Sequence, residues 1–277
     1  MTTPYPPQSV PGAGYVSPIP IRRATLGDAL ASEWTKIRSV RSTMWTLGVM
    51  AALIIGLGIL VGFAMRDSAD SGVPDQSALA LGVFGALLGS ICVMTLGVLT
   101  ITSEYGTGMI RTTLTACPSR GRVLAAKAIV FFLLIFAYTF VLTLVTGALQ
   151  VSLVDQVPSP TGEDWARGTV GISFYLACLG LVALAVGTVV RHSAGAITAM
   201  FGVVLLPLVA AMFMVSESMR GLQEWLLEYS IPNQLSMIYD SSAAESGPQG
   251  WESVAIITVL AAVALGGAWS VLKSRDV

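Results

Sequence analysis

The chain has 277 residues, of which 54% are hydrophobic and 11% charged, with a mean hydropathy of +0.76. That is too apolar for a soluble domain and marks an integral membrane protein. A formal net charge of -1 gives no electrostatic case for a nucleic-acid partner.

Residues 1–22, opening MTTPYPPQSVPGAGYVSPIP, are rich in Pro, Gly and Ser and lack an apolar core. They read as a disordered cytoplasmic tail rather than a cleaved signal, with a proline-motif ligand at PYPP as the other reading. Residues 23–42 include TLGDALASEWTKIRSVRS, where Leu26, Leu30, Trp34, Ile37 and Val40 recur at helical spacing and Lys36, Arg38 and Arg41 gather towards the first apolar run. This pattern predicts an amphipathic helix in the cytoplasmic interface, with Trp34 at headgroup depth. It is a juxtamembrane anchor, an elbow helix that also packs on a partner, or both.

Residues 43–277 carry six apolar runs, at about 44–65, 77–102, 128–154, 168–190, 193–216 and 253–272. A hydrocarbon core about 30 Å thick needs roughly 20 residues of helix, and each run is long enough. The Leu, Ala, Val and Gly mixture lacks the alternation of a barrel strand. An all-α, six-span domain is therefore expected, since a helix satisfies its own backbone in lipid.

Taken alternately, the connections on one side hold Arg22, Arg23, Lys36, Arg38, Arg41, Arg111, Arg120, Arg122, Lys127, Arg191, Lys273 and Arg275, which is 12 of the 15 Lys and Arg. The other side keeps Arg66, Arg167 and Arg220. The positive-inside rule makes the rich side cytoplasmic and places both termini there, in a multi-pass protein of the cell membrane.

None of the six runs contains Asp, Glu, Lys, Arg or His. Ion-coupled transporters usually carry an intramembrane ionisable group and voltage sensors an arginine series. Neutral oxygens can bind sodium, which leaves a secondary transporter open. No G-x-x-x-x-G-K-[ST] phosphate cradle occurs, and no zinc-ligand spacing or carboxylate beside His192 supports catalysis. The chain reads as a non-catalytic membrane subunit without its own cofactor. Cys92 and Cys178 fall in spans and Cys117 in a cytoplasmic connection, so no disulfide framework is expected.

Between the second and third runs lies SEYGTGMIRTTLTACPSRGRVLAAK, an unusual concentration of charge. Gly106 and Gly108 allow a turn, MIRTTL a short helix, and CPSRG a second turn. The pattern of Glu104, Tyr105, Gly106, Thr107, Gly108, Met109, Ile110, Arg111, Leu114, Pro118, Ser119, Arg120 and Lys127 resembles the stretch between spans two and three of type-2 ATP-binding-cassette (ABC) exporter permeases. In that family it forms a coupling helix. The preceding elbow helix, the six spans and a long last external loop resemble the same family, so the likeness covers the chain beyond its tail. It implies that two permease protomers pair, with a homodimer expected and a heterodimer the other reading, and that each binds a cytoplasmic ATPase carrying ATP and Mg. On this reading Met109, Ile110 and Leu114 give apolar contact with the ATPase, and Glu104 and Arg111 fix register. Arg120, Arg122 and Lys127 anchor to anionic headgroups, or in the case of Arg122 and Lys127 simply enforce topology.

After the fifth run, SMRGLQEWLLEYSIPNQLSMIYD predicts two short external helices. They are re-entrant and cap an exit path, as in the resembled family, or they form a surface hairpin. Thr139, Thr143, Thr146 and Gln150 make a polar stripe on the third span. The stripe lines a substrate path or, the preferred reading, serves helix packing. Gly58 with Gly62 and Gly85 with Gly89 are expected as packing notches, and Pro207 as a bend. A charge-free interior suits an amphipathic or hydrophobic cargo such as a lipid, a drug-like compound or a peptide. The other classes are a channel or secondary transporter working without an ATPase, and a non-transporting assembly subunit.

Overall fold

A computed structural model describes residues 25–67, 77–154, 159–214, 216–239 and 247–274. The tail expected at 1–22 lies outside them. All regular structure among the described residues is helical, and six helices there are long and apolar enough to cross a membrane. The protein is an all-α integral membrane protein.

The first helix, α1 (Leu26–Ser39), starts at a capping box. Thr25 N–H donates to Asp28 Oδ2 at 2.8 Å and Asp28 N–H to Thr25 Oγ1 at 3.3 Å, pairing two backbone donors that the first turn leaves orphaned. Val40 in extended conformation separates it from α2 (Arg41–Asp67). A 3₁₀ turn, Ala78–Gly82, leads into α3 (Val83–Thr107); then come α4 (Met109–Ala116) and α5 (Arg120–Leu153). The fourth span opens with α6 (Gly162–Trp165), passes through a π-helical stretch, Ala166–Gly171, and continues as α7 (Ile172–Val190). His192 caps α8 (Ser193–Phe213), its Nδ1 accepting from Gly195 N–H at 3.1 Å; α8 continues through Pro207. Two short helices, α9 (Arg220–Glu228) and α10 (Ile231–Ile238), precede α11 (Trp251–Ser274).

Several helices outlast the apolar runs that predict them. α3 continues past residue 102 to Thr107 and α5 begins at Arg120 instead of 128. Hydropathy stops at the first charge, whereas backbone hydrogen bonding does not, provided the charge finds a partner. Arg167 illustrates this at the start of the fourth span, with Nη2 3.1 Å from Asp164 Oδ1.

The second and fourth spans form the centre, with 67% and 78% of their most apolar windows buried, against 17% for α8 and 22% for α11. α7 packs on α3, α5, α8 and α11, and α2 on α3 and α5. Small residues allow the close approach expected of helices in lipid. A Cβ on Gly85 would stand 2.9 Å from the Ile54 carbonyl oxygen, and one on Gly58 would collide with Thr146 Cγ2. Gly89 faces Ile54 as tightly, whereas Gly62 makes only ordinary contact with Leu153.

The two short helices near the last span differ from each other. α9 has no buried residue, while α10 buries Ile231, Gln234, Leu235, Met237 and Ile238 against the core. Tyr239, just after α10, packs over Gly82 and Gly168.

Candidate functional site

The bridge between α3 and α5 is built around one backbone turn. Gly108 has φ +71°, the left-handed conformation that ends α3 and starts α4 in a new direction. Glycine adopts it without the Cβ penalty. Gly106, equally eligible in the sequence, stays inside α3. The bridge then closes through Cys117, Pro118 and Ser119.

Beneath this bridge lie four charged side chains from three helices. Lys127 Nζ is 2.6 Å from Glu33 Oε2 and 2.9 Å from Glu104 Oε1. Lys36 Nζ is 2.8 Å from both Glu33 Oε1 and Glu104 Oε1. The ring therefore runs Glu33, Lys36, Glu104, Lys127 and back, with two negative and two positive charges. Its side chains are 4%, 23%, 6% and 1% exposed in that order. Lys36 also donates to Thr113 Oγ1 on α4 at 3.3 Å. Burial works to lower the Lys36 pKa, but hydrogen bonds and attraction from Glu104 and Glu33 outweigh it and hold the ammonium above its ordinary value.

Such a ring couples α1, the end of α3, α4 and the start of α5 into one block. Desolvating each ion costs several kcal/mol, and alternating partners at hydrogen-bond distance offset that cost only in this geometry. Lys127 is therefore not a headgroup anchor: at 1% exposure its ammonium reaches Glu33 and Glu104 instead of lipid phosphate.

The sequence-predicted bridge residues divide into an inner and an outer set. Glu104 and Ile110 are buried at 5% exposure each, Tyr105, Leu114 and Arg120 are partly buried, and Gly106, Thr107, Gly108, Met109, Arg111 and Pro118 are exposed. Glu104 thus sits in the charge ring, inside the bridge. The Arg191 guanidinium lies 5.2 Å from the centre of the Tyr105 ring; Arg191 closes α7 with φ +57°, also left-handed. Arg120 Nη1 donates to the Leu272 carbonyl at 2.8 Å, tying the start of α5 to the end of α11. What remains on the outside is a short amphipathic helix presenting Met109 and Arg111, with Ile110 as its inward anchor.

Of the predicted residues of α1, Ile37 is buried at 8%, Leu30 is half-buried, and Leu26 and Trp34 are exposed at 43% and 46%. Glu33 and Lys36, which hold the helix down, carry no site role in the sequence reading. The available signal was the basic side of the molecule, where Glu33 and Glu104 each need a cation.

The polar stripe of α5 is enclosed. Thr139, Thr143, Thr146 and Gln150 are each at most 5% exposed. Thr139 and Thr143 donate to the carbonyls of Ile135 and Thr139 at 2.6 and 2.9 Å, and Gln150 Nε2 to the Gly58 carbonyl at 3.3 Å. Here the stripe joins α5 to itself and to α2. The three cysteines are free and buried.

Six spans packed about α3 and α7, with basic residues concentrated at one end and a short exposed helix bridging two spans there, define a multi-pass membrane protein. The family model for ABC-2 family transporter proteins matches residues 29–216. That is more than half of the chain, from α1 through α8, and the chain belongs to this family. It is a membrane permease of an ABC transporter, a family of typically non-catalytic membrane components that associate with an ABC ATPase. Comparison with curated proteins gave no match.

Proposed function

We propose that this permease exports an amphipathic or hydrophobic substrate, driven through α4 by a separate cytoplasmic ATPase subunit that binds ATP and Mg. The basic end faces the cytoplasm of the cell membrane, two copies pair as a homodimer, and α1 acts as the elbow. α9 and α10 cap the outer end, and the stripe of α5 opens towards the cargo only in another conformation.

One observation carries the reading. α4 is a short helix with an exposed apolar and basic face, Met109 and Arg111, while its opposite side is fixed to three other helices through Ile110, Thr113 and the charge ring. A force transmitter needs such an arrangement, one side free to enter a groove and the other rigidly attached. The absence of charge from the six apolar runs supports an apolar cargo and an energy source outside the bilayer.

The test is purification of the tagged chain from its native host. A stoichiometric ATPase is expected with the wild type and is lost in Met109→Glu with Arg111→Glu, at unchanged membrane level. Retention of the ATPase by this variant, or solute movement by the chain alone down an ion gradient, overturns the reading.

A further inference from the structure

An apolar groove of about 750 Å³ opens between α1 and α5. Leu30, Ala31 and Trp34 form one wall, and α5 from Ile129 to Val141 forms the other. Tyr138 belongs to this wall, but its hydroxyl donates to the Leu47 carbonyl on α2 at 2.9 Å, so its polar atom is spent on the protein. At 1.5 Å of rise per residue, the α5 wall is about 18 Å long, close to the roughly 15 Å depth of one leaflet.

The charge at one end is equally specific. Arg38 is exposed and lies four residues beyond Trp34, hence on the same face of α1, and the exposed Arg41 follows where α2 begins. A cation one helical turn past the lining residue Trp34, beside a leaflet-deep hydrocarbon slot, complements a molecule with an anionic head and a tail confined to one leaflet. We propose that this groove is a binding site for an anionic phospholipid, with an acyl chain along Ile129, Leu133, Ala137 and Val141 and the phosphate at Arg38. Only the identity of the leaflet, cytoplasmic, rests on the orientation proposed above; the site itself does not depend on an ATPase.

Trp34 in the wall makes the site directly measurable. The full chain is placed in phosphatidylcholine vesicles containing brominated phosphatidylglycerol or brominated phosphatidylcholine at matched mole fractions. The Trp34 signal is the wild-type fluorescence minus that of Trp34→Phe. Brominated phosphatidylglycerol is expected to quench it at about a fivefold lower mole fraction, the factor that one basic residue near an anionic lipid supplies. Arg38→Gln brings the two lipids level, whereas Arg66→Gln, at the opposite end of α2, keeps the preference. Equal quenching in the wild type means ordinary surrounding lipid and overturns the proposal, as does a preference that survives Arg38→Gln. Absence of quenching by either lipid means that a second copy or another protein covers the groove, and also overturns it. None of these outcomes depends on whether Met109 and Arg111 dock an ATPase.

Discussion

Lys127 Nζ lies 2.6 Å from Glu33 Oε2, joining residues 94 apart in sequence. This contact, with its counterpart between Lys36 and Glu104, holds α1 against α3 and α5. α4 is tied to the same block, because Lys36 of α1 donates to Thr113 of α4 as well as to Glu104 of α3.

Removing one cation should cost more than removing an ion pair. Lys127→Met leaves Glu33 and Glu104 to share Lys36 in a buried site, a loss of about 3 kcal/mol. Lys127→Met with Glu33→Gln leaves Lys36 and Glu104 as a neutral pair and should recover at least half of it. Thermal unfolding of the purified chain in detergent measures both. A single variant melting at the wild-type temperature shows that the ring does not stabilise the fold.

The glycines of the bridge make a second, sharper comparison. A Cβ at Gly108 or at Gly106 would meet nothing within 4 Å, so substitution acts through backbone conformation alone. At Gly108, with φ +71°, alanine costs about 1 kcal/mol or more. Within the helix at Gly106, alanine adds up to about 1 kcal/mol of helix stability. Limited proteolysis of the bridge should be faster than wild type in Gly108→Ala and no faster in Gly106→Ala; the reverse order would contradict the observed turn.

The sequence makes some of this legible and hides the rest for identifiable reasons. The six spans are readable because each is a long run of apolar residues, and the bridge because charge and glycine interrupt those runs. Which glycine turns is not readable, since both are exposed and conformationally free. The inward direction of Glu104 is hidden because its partners, Lys36 and Lys127, come from elements 68 residues before and 23 after it. The difference between α9 and α10 is hidden as well: both are amphipathic, and only the packed structure shows that α10 faces the core while α9 does not.

The stripe on α5 can be dissected by two substitutions of opposite sign. Thr146 Oγ1 is buried and has no hydrogen-bond partner among the described residues, whereas Gln150 reaches the Gly58 carbonyl. Thr146→Val, nearly isosteric, should therefore be neutral or stabilising by up to about 1 kcal/mol, while Gln150→Leu should lose about 1 kcal/mol. Unfolding temperature reads both effects. If Thr146→Val leaves stability intact but abolishes transport once a cargo is known, Thr146 meets that cargo during the cycle and its free hydroxyl has a use.

The seam between α3 and α7 is sensitive to a single methyl group. A Cβ on Gly97 would fall on the Gly180 carbonyl oxygen and stand 3.0 Å from Ala183 Cβ, so the two central helices touch through backbone. A carbonyl cannot rotate away as a side-chain end can, and the helices must separate. Gly97→Ala should cost about 1–3 kcal/mol, the usual range for overpacking a filled interior, and Gly97→Leu should abolish a monodisperse peak on size-exclusion chromatography. Gly56→Ala on α2, where a Cβ would meet nothing within 4 Å, should behave as wild type in the same assays. Equal tolerance at the two positions would mean that α3 and α7 are not the fixed centre about which the other four spans are arranged.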